Sequence, residues 1–223
     1  QDATQLADEA VQLVPEEAHF HALLGDIDVR QDRLTAAVDH YADAIALNDA
    51  FFYYHLHKGL AHQALNQPNA AQADLEASIV LFATADAHFA LGVLAVSRGN
   101  TAAALEHYSV AADSNSLAGQ AARDAMVRLD LPQNPGRYLQ LAAYTDAQGQ
   151  LIVQIGNPSA VTVTDLGLVI RYIDGQGALR QTDRALRQTL QRGAGAQFAT
   201  GLGPFTSPDS YQVEIQTARV INN

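Results

Sequence analysis

Histidine is the residue type in this chain that most invites a chemical role, because eight are present and two pairs are closely spaced. His19 and His21 flank a phenylalanine, and His55 and His57 flank a leucine. Imidazole pairs of this kind are candidate zinc ligands. A zinc site, however, needs three or four converging ligands and neighbouring groups that orient them. Without cysteine, the chain could supply only histidine and carboxylate.

Motifs of well-known catalytic chemistry do not occur in the sequence. It has no HExxH for zinc-dependent hydrolysis, no GxSxG for a serine nucleophile, and neither GxxxxGK[ST] nor GxGxxG for phosphate binding. The paired acids Glu16 and Glu17 are expected at a helix start, where carboxylates favour the helix dipole. We therefore expect this chain to be no enzyme in its own right and to bind no metal or other cofactor.

A period of about 34 residues organises the first half of the chain. Gly25, Gly59 and Gly92 are separated by 34 and 33 residues. A small residue, a large side chain and a second small residue follow each glycine at equivalent offsets: Ala37/Tyr41/Ala44, Ala71/Leu75/Ser78 and Ala104/Tyr108/Ala111. Such a period predicts stacked pairs of antiparallel helices. The small residues let the two helices approach closely, and the larger side chain fills the gap beside them.

Five of the eight histidines stand in register with this period. His21, His55 and His88 each precede a repeat glycine by four residues, while His40 and His107 recur in the second helix of a pair. Residues that recur in every repeat are expected to pack between helices. Equivalent positions of adjacent repeats are also too widely spaced to converge on one ion. This favours a structural role for these histidines, with a metal site as the alternative.

The glycine, alanine, aromatic and alanine spacing resembles the tetratricopeptide repeat. That resemblance covers nearly half of the chain and implies a protein- or peptide-binding scaffold. Two positions depart from the family pattern. Histidine stands where tryptophan is usual early in the first helix, and the repeats end on Asp49 and Ala83 where proline is usual.

The ends of the repeat region also fit this pattern. Residues 2–14 keep the small-residue spacing of a second helix, and Pro15 closes it. Because the first helix of that pair is missing, we expect the chain to be part of a longer protein. Residues 116–129 predict a polar capping helix. The first domain is therefore predicted over residues 1–131, as a half repeat, three repeats and a cap.

The pattern changes at Pro132 and Pro135, which mark a boundary. Beyond it, apolar residues alternate with period two, which is typical of strands. Six strands are predicted, at residues 138–144, 150–155, 161–173, 178–189, 196–200 and 211–220. Short strands of this number suggest an antiparallel sandwich over residues 132–223. The predicted fold class is α+β multidomain: an α-solenoid of tetratricopeptide-type helix pairs followed by a small β-sandwich.

One segment of the second half, VQIGNPSAVTVTDLGLVIRYIDGQG, resembles the small immunoglobulin-like accessory domains of bacterial envelope proteins. The family has a strand, an asparagine-containing turn, a long strand ending in tyrosine, and an Asp-Gly turn. The matching residues are Val153, Asn157, Val163, Leu168, Tyr172, Asp174 and Gly177. The resemblance implies an immunoglobulin-like β domain at this end of the chain.

Charge is distributed unevenly between the two halves. Residues 1–131 hold 18 acidic and 6 basic residues, whereas residues 132–223 hold 6 acidic and 7 basic. Nucleic acid is therefore not expected as a partner, because phosphate binding needs a basic surface. The negative charge of the first half either increases solubility or favours the binding of neutral and basic polypeptides. The sequence has no uncharged stretch of about 18 residues that would suggest a membrane-spanning helix.

A binding groove follows from the repeat geometry. The first helix of each pair lines the concave side of such a stack, and residues on the side opposite the repeat glycine should face outward. This selects His19, Asp26, Tyr53, Leu56, Leu60, Phe89, Val93 and Val96. A largely apolar set on a solvated face is typical of a binding site. The predicted partner is an apolar protein or peptide segment with some positive charge; the alternative is cover by another part of the protein.

The order of a truncated repeat array, a proline-flanked link and a β domain resembles the C-terminal part of bacterial envelope zinc metallopeptidases. The residues that carry this are LADEAVQLVPEEAHFHALLGD, FFYYHL at 51–56 and LDLPQNPGRY. The resemblance implies zinc and an HExxH domain upstream of Gln1, and a periplasmic or envelope location. A cytoplasmic location stays open, as does a stand-alone structural or assembly adaptor of the envelope.

Overall fold

The computed structural model describes residues 3–221, which form two compact units that divide between Ala122 and Arg123. We call them the helical unit and the β unit. The division falls within the last helix, earlier than the boundary after residue 131 that the sequence predicts. The C-terminal half of that helix belongs to the β unit because Val127 and the following Leu131 pack into its core.

Eight helices lie in the described part of the chain. They are α1 (Ala3–Leu13), α2 (Ala18–Arg30), α3 (Leu34–Leu47), α4 (Phe52–Ala64), α5 (Pro68–Leu81), α6 (Ala85–Ser97), α7 (Thr101–Ala112) and α8 (Leu117–Asp130). The helices α2–α3, α4–α5 and α6–α7 form the three predicted pairs. The predicted lone helix and capping helix correspond to α1 and α8; residue 2 lies outside the described residues. None of these helices is both long and apolar enough to cross a membrane.

Local sequence determines where several helices begin. The carboxylate of Glu17 accepts the backbone N–H of His19 at the start of α2. The side chain of Asn100 accepts the N–H of Ala103 at 3.1 Å and caps α7. Pro68 is the first residue of α5, where the missing N–H of proline has no helical partner to lose.

Close packing within each helix pair explains the repeat glycines. A Cβ atom added to Gly25 would lie 2.8 Å from the Tyr41 ring, and one added to Gly92 would lie 2.5 Å from the Tyr108 ring. Real Cβ atoms do not approach carbon so closely. The alanines beside these rings, such as Ala37, are fully buried. The interpretation of the repeat as small residues facing one large side chain is therefore confirmed.

Six strands form two antiparallel sheets in the β unit. The strands are β1 (Gln140–Thr145), β2 (Leu151–Gly156), β3 (Thr162–Ile173), β4 (Leu179–Leu186), β5 (Gly195–Ala199) and β6 (Tyr211–Ile221). One sheet has the order β1-β2-β5 and the other β4-β3-β6. All six predicted strands are confirmed, with ends that differ by up to three residues. Asp174 closes the β3–β4 turn by accepting the N–H groups of Gln176 and Ala178 at 2.9 Å.

Both sheets of the β unit contribute to one hydrophobic core. Val153 and Ile155 come from β2, Leu168 and Ile170 from β3, and Ile215 from β6. More buried residues alternate with exposed ones from Tyr211 to Gln216 of β6, as the period-two pattern requires, whereas Leu151, Ile152 and Val153 of β2 are all buried.

A buried asparagine links two loops of the β unit through hydrogen bonds. The side-chain amide of Asn157 donates to the carbonyl oxygens of Val161 at 2.8 Å and Leu190 at 2.9 Å. Its burial is tolerated because the amide is satisfied by these backbone acceptors.

Candidate binding surface of the helical unit

The residues predicted to line a groove come from the first helix of three successive pairs. His19 and Asp26 lie on α2, and Tyr53 and Leu60 lie on α4. Phe89, Val93 and Val96 lie on α6. We call this set, without Leu56, the first-helix surface. Contacts between α4 and α6, and a hydrogen bond between Tyr53 and Asp26, bring the three helices together.

Leu56 does not face outward, so its predicted placement is wrong. Its side chain is only 6 % exposed and belongs to a core cluster with Ala87, Leu91 and Leu94 of α6. The physical reason is that α6 packs directly against α4 and covers this position. In the second pair, the residue three before the repeat glycine therefore belongs to the interface between pairs, whereas Phe89 at the equivalent position of the third pair is half-buried.

The other apolar members are partly accessible. Val96 is the most exposed, at 44 %. Leu60 is half-buried and packs on the same core cluster. Phe89 is also half-buried, with its ring centroid 5.7 Å from that of Tyr108. The surface is thus a shallow apolar strip that is supported from below by the core.

A polar cluster borders this strip and joins three helices. Asp26 of α2 accepts a hydrogen bond from the Tyr41 hydroxyl of α3 at 2.6 Å. The Tyr53 hydroxyl of α4 donates to the same carboxylate, at 2.9 Å from Oδ2. The His57 ring lies on Tyr53 with 3.9 Å between ring centroids. We call Asp26, Tyr41, Tyr53 and His57 the Asp26 cluster.

The surroundings of the Asp26 cluster set its protonation. Burial, reinforced by the hydrogen bond to Asp26, raises the pKa of Tyr53 to about 12. The same two causes raise the pKa of Tyr41 far above its usual range. Burial lowers the pKa of His57, although the carboxylates of Asp26 and Asp86 offset part of this effect. Both phenols therefore remain hydrogen-bond donors at neutral pH, and the imidazole is largely neutral.

The recurring histidines have partners within the protein. His21 Nε2 lies 3.0 Å from the carbonyl oxygen of Pro15, and His55 Nε2 lies 3.2 Å from that of Asp49. These equivalent contacts tie the first helix of a pair to the preceding loop. His88 differs, because its Nδ1 lies 3.2 Å from Nδ1 of His107. The structural role of these histidines stays a prediction, which their contacts within the protein support.

Metal ligation was the alternative for the histidines. Across residues 3–221, no group of three or more histidine, aspartate or glutamate side chains is arranged to hold an ion. His57, one of the candidate ligands, instead packs against Tyr53, with the two rings tilted by 34°.

Two features of this region do not follow from the sequence patterns. The patterns indicate His57 only as a candidate metal ligand and Tyr41 only as a packing residue, although both belong to the Asp26 cluster. A usable signal was that an acid follows the first repeat glycine, where the later repeats have Leu60 and Val93. Asp28 was also missed. It is buried, and it is paired with Arg33, whose Nε lies 2.8 Å away, and with His40 at 2.7 Å.

Comparison with known proteins gives a fold for the helical part. No protein-family model and no curated protein matches the sequence. Solved structures do match. YrrB, described as a TPR protein with an unusual peptide-binding site, superposes with a TM-score of 0.54 at 18% identity, over 60% of this chain and 69% of its own. The helical part of this chain has the tetratricopeptide-repeat fold.

Two further solved structures match a similar share of the chain, and the first of them is also described as a TPR protein. TTC0263, a thermophilic TPR protein in Thermus thermophilus, gives a TM-score of 0.50 at 24% identity, over 58% of this chain and 72% of its own. The Cut9–Hcn1 hetero-tetramer of the APC/C gives 0.52 at 18% identity, over 57% of this chain and 26% of its own. The tetratricopeptide resemblance seen in the sequence is thus confirmed for the helical unit. At these identities the likeness concerns fold alone.

Proposed function

We propose that this chain is a non-catalytic scaffold whose tetratricopeptide-repeat unit holds a segment of another polypeptide on the first-helix surface. The observation that carries the proposal is the arrangement of this surface. A half-buried apolar strip runs over α4 and α6, and the Asp26 cluster fixes its polar border. The fold supports the proposal because helix-pair stacks present extended surfaces for binding.

The chemistry of the surface indicates the class of ligand. Leu60, Phe89 and Val93 offer apolar area, which stabilises a complex by about 25 cal/mol per Å² removed from water. Asp26 lies at one border, and the exposed Asp86 lies in the first turn of α6. We therefore expect an apolar segment that also carries positive charge, and faster association at low ionic strength.

A peptide selection can test this proposal with a matched pair of variants. Random twelve-residue peptides would be selected on the full chain, and their affinities measured for Val96→Asp and Val80→Asp. Val96 is on the first-helix surface, whereas Val80 is 84 % exposed near the end of α5, a second helix. Val96→Asp should weaken the selected peptides by about tenfold or more, and Val80→Asp should leave them unchanged.

The choice of Val96 avoids a structural artefact. Leu60→Asp would place a charge against the core cluster beneath α4, so loss of binding could reflect unfolding. Val96 and Val80 are both exposed. We therefore expect both aspartate variants to keep the circular dichroism spectrum of the wild type. Equal affinities for the two variants, or selected peptides that bind only the β unit, would count against the proposal.

The wider setting of the scaffold is also part of the proposal. We infer an α-solenoid followed by an immunoglobulin-like β-sandwich, which two three-stranded sheets around one core support. We place the chain in the periplasm or cell envelope, as the recognition region of a larger bacterial protein such as a zinc metallopeptidase. The segments that resemble that family support this setting. Any zinc would then belong to a domain upstream of Gln1.

A stand-alone structural or assembly adaptor of the envelope is the second candidate. The sequence upstream of Gln1 separates the two. An HExxH motif on a predicted helix supports the peptidase setting, and upstream sequence without that motif favours the adaptor.

A further inference from the structure

An exposed row of apolar side chains lies at one end of the helix pairs. The second helices α1, α3 and α5 end where α2, α4 and α6 begin, so the three connecting loops lie at the same end of the antiparallel pairs. Leu13, Leu47 and Leu81 are the last residues of α1, α3 and α5, at intervals of 34 residues. Each of these leucines is at least 41 % exposed. The repeat therefore places one accessible leucine at each of the three loops.

Two phenylalanines extend this row. Phe82, which follows α5, is 59 % exposed, and its ring centroid lies 5.0 Å from that of Phe52 at the start of α4. The preceding repeat has Asn48 at the position equivalent to Phe82, and both residues end a helix with an extended backbone. The repeat geometry therefore does not require an aromatic residue here. Exposed apolar area of this kind is typical of an interaction site. We call the following residues the loop row: Leu13, Leu47, Phe52, Leu81 and Phe82.

The loops that carry the row are acidic. Counted from each leucine to the next helix, they are residues 13–17, 47–51 and 81–84. They contain three acidic residues and no lysine or arginine. The last turns of α1, α3 and α5 also lack basic residues. The acidic residues are Glu16, Glu17 and Asp49.

Positive charge is concentrated elsewhere in the helical unit. Arg30, Arg33 and Arg98 lie at or beside the turns on the opposite end of the pairs. Arg33 is paired with Asp28, and Arg98 donates a hydrogen bond to Asn69 at 2.8 Å. The acidic loops therefore keep a local negative charge, which attracts a positively charged ligand.

The backbone near the row favours a helix as the ligand. No strand lies in the described part of the helical unit, so the loops offer no continuous ladder of hydrogen-bonding groups to an extended segment. The loop carbonyl oxygens of Pro15 and Asp49 are already contacted by the imidazoles of His21 and His55. A helix satisfies its own backbone and needs only side-chain contacts.

We propose that the loop row binds a basic amphipathic helix of a partner protein. The apolar face of that helix covers the exposed leucines and Phe82, and its lysine or arginine side chains lie toward Glu16 and Asp49, which are exposed. The loop row is a different surface from the first-helix surface. The proposal therefore does not rest on the proposed function.

The spacing of the pairs sets the length of the ligand. Packed helices lie about 8–10 Å apart, so a ligand that touches all three loops extends over roughly 20 Å. At about 1.5 Å per residue, a helix of that length has about 14 residues. Its apolar residues should recur every three or four positions, which places them on one face.

Two other occupants fit these observations less well. An anionic membrane surface would be repelled by Glu16 and Asp49. A second copy of this chain would have to bring basic residues to the loops. Two of the three arginines at the opposite end, Arg33 and Arg98, are already engaged within their own chain.

The test uses a defined peptide on the full chain. The probe is a labelled helical peptide of about 14 residues, made of leucine, alanine and lysine with the leucines on one face. Its control has glutamate in place of every lysine and keeps the same apolar face. Fluorescence anisotropy measures the affinities, and NMR locates the amides whose signals shift. At low salt the lysine peptide should bind at least about tenfold more tightly than its control, with shifts in the three loops.

Phe82→Asn and Val96→Asn provide matched variants. Phe82→Asn introduces the residue that the preceding repeat has at this position, so the fold should tolerate it. It should weaken the lysine peptide by about tenfold, whereas Val96→Asn, on the first-helix surface, should leave the affinity unchanged. If Phe82→Asn alters the circular dichroism spectrum, Leu13→Asn at the most exposed position of the row replaces it. The double variant Glu16→Gln/Asp49→Asn should lower the affinity and its salt dependence.

Each other outcome overturns the proposal. Absence of binding, or equal binding of the glutamate peptide, means that the row does not select a basic helix. Loss of binding in Val96→Asn but not in Phe82→Asn means that the first-helix surface has captured the peptide, which would support the proposed function while removing this one. Vesicles of anionic lipid that bind the wild type but not Phe82→Asn identify a membrane as the occupant. Self-association without peptide that Phe82→Asn abolishes identifies a second copy.

Discussion

The two units bury their apolar side chains in different ways. The tetratricopeptide-repeat unit divides its core into separate clusters, each formed by consecutive helices, such as α4 to α6 around Leu75 or α2 to α4 around Tyr41. The β unit has one cluster that extends from Leu131 to Ala218. Because most of its contacts are local, each helix pair is nearly an independent packing unit. The strands, in contrast, depend on partners far away in sequence, such as β3 on β6.

This difference affects where each unit can bind. In the helical unit, equivalent positions of successive pairs form one surface, and the backbone of each helix is satisfied internally. In the β unit, backbone groups at the edges of β1 and β6 lack partners in the fold. The first unit therefore offers side chains to a ligand, whereas the second leaves backbone groups unpaired at its sheet edges.

The largest expected effect tests the contrast between local and global cores. Leu168→Ala in the β unit and Leu75→Ala in the helical unit each remove a buried side chain and should cost about 2–5 kcal/mol of unfolding free energy. Hydrogen exchange should differ, however. Leu168→Ala should lower protection throughout β1–β6, whereas Leu75→Ala should lower it mainly in α4, α5 and α6. Equal spreading in both units would break the comparison.

A smaller effect should come from filling the gap within a helix pair. Gly92→Ala adds a Cβ 2.5 Å from the Tyr108 ring and should cost about 1–3 kcal/mol by overpacking. Gly136→Ala in the β unit adds the same atom in open space and should be nearly neutral. Thermal unfolding of both variants measures this. A Gly92→Ala variant as stable as the wild type would show that the pair can relax around a side chain.

The smallest effect concerns pH and the Asp26 cluster. Burial lowers the pKa of His57 in the folded chain, so the unfolded chain takes up a proton first as pH falls. Stability is therefore complete above the unfolded pKa of 6.5 and declines as pH falls below it, by about 1.4 kcal/mol per unit of pKa difference. Burial and His107 also lower the pKa of His88, so the wild type should lose stability through both residues.

A matched pair isolates the share of His57. Helical-unit stability, followed by denaturant unfolding at 222 nm, would be compared between pH 7.5 and 5. The His57→Gln variant should lose less stability on acidification than the wild type. Equal losses in the variant and the wild type would show that His57 takes no part in the pH response.

Sequence patterns by themselves determined the elements of this protein. The 34-residue spacing located the three helix pairs, because small residues at fixed offsets are needed wherever Tyr41 or Tyr108 packs against a glycine. Period-two alternation located all six strands, and Asn100, Pro68 and Asp174 acted through contacts with residues close in the chain. Such local features depend on a few neighbouring residues, so they can be recognised without knowledge of the fold.

Only the tertiary structure decided which side chains meet between repeats and between strands. Leu56 had the position of an outward residue, but α6 covers it. Asp26 and Tyr53 are 27 residues apart, and their hydrogen bond depends on how α2 packs against α4. The order of strands, with β6 at an edge beside β1, likewise depends on long-range pairing. These contacts depend on helix and strand placement, which a pattern of residue types along one chain does not contain.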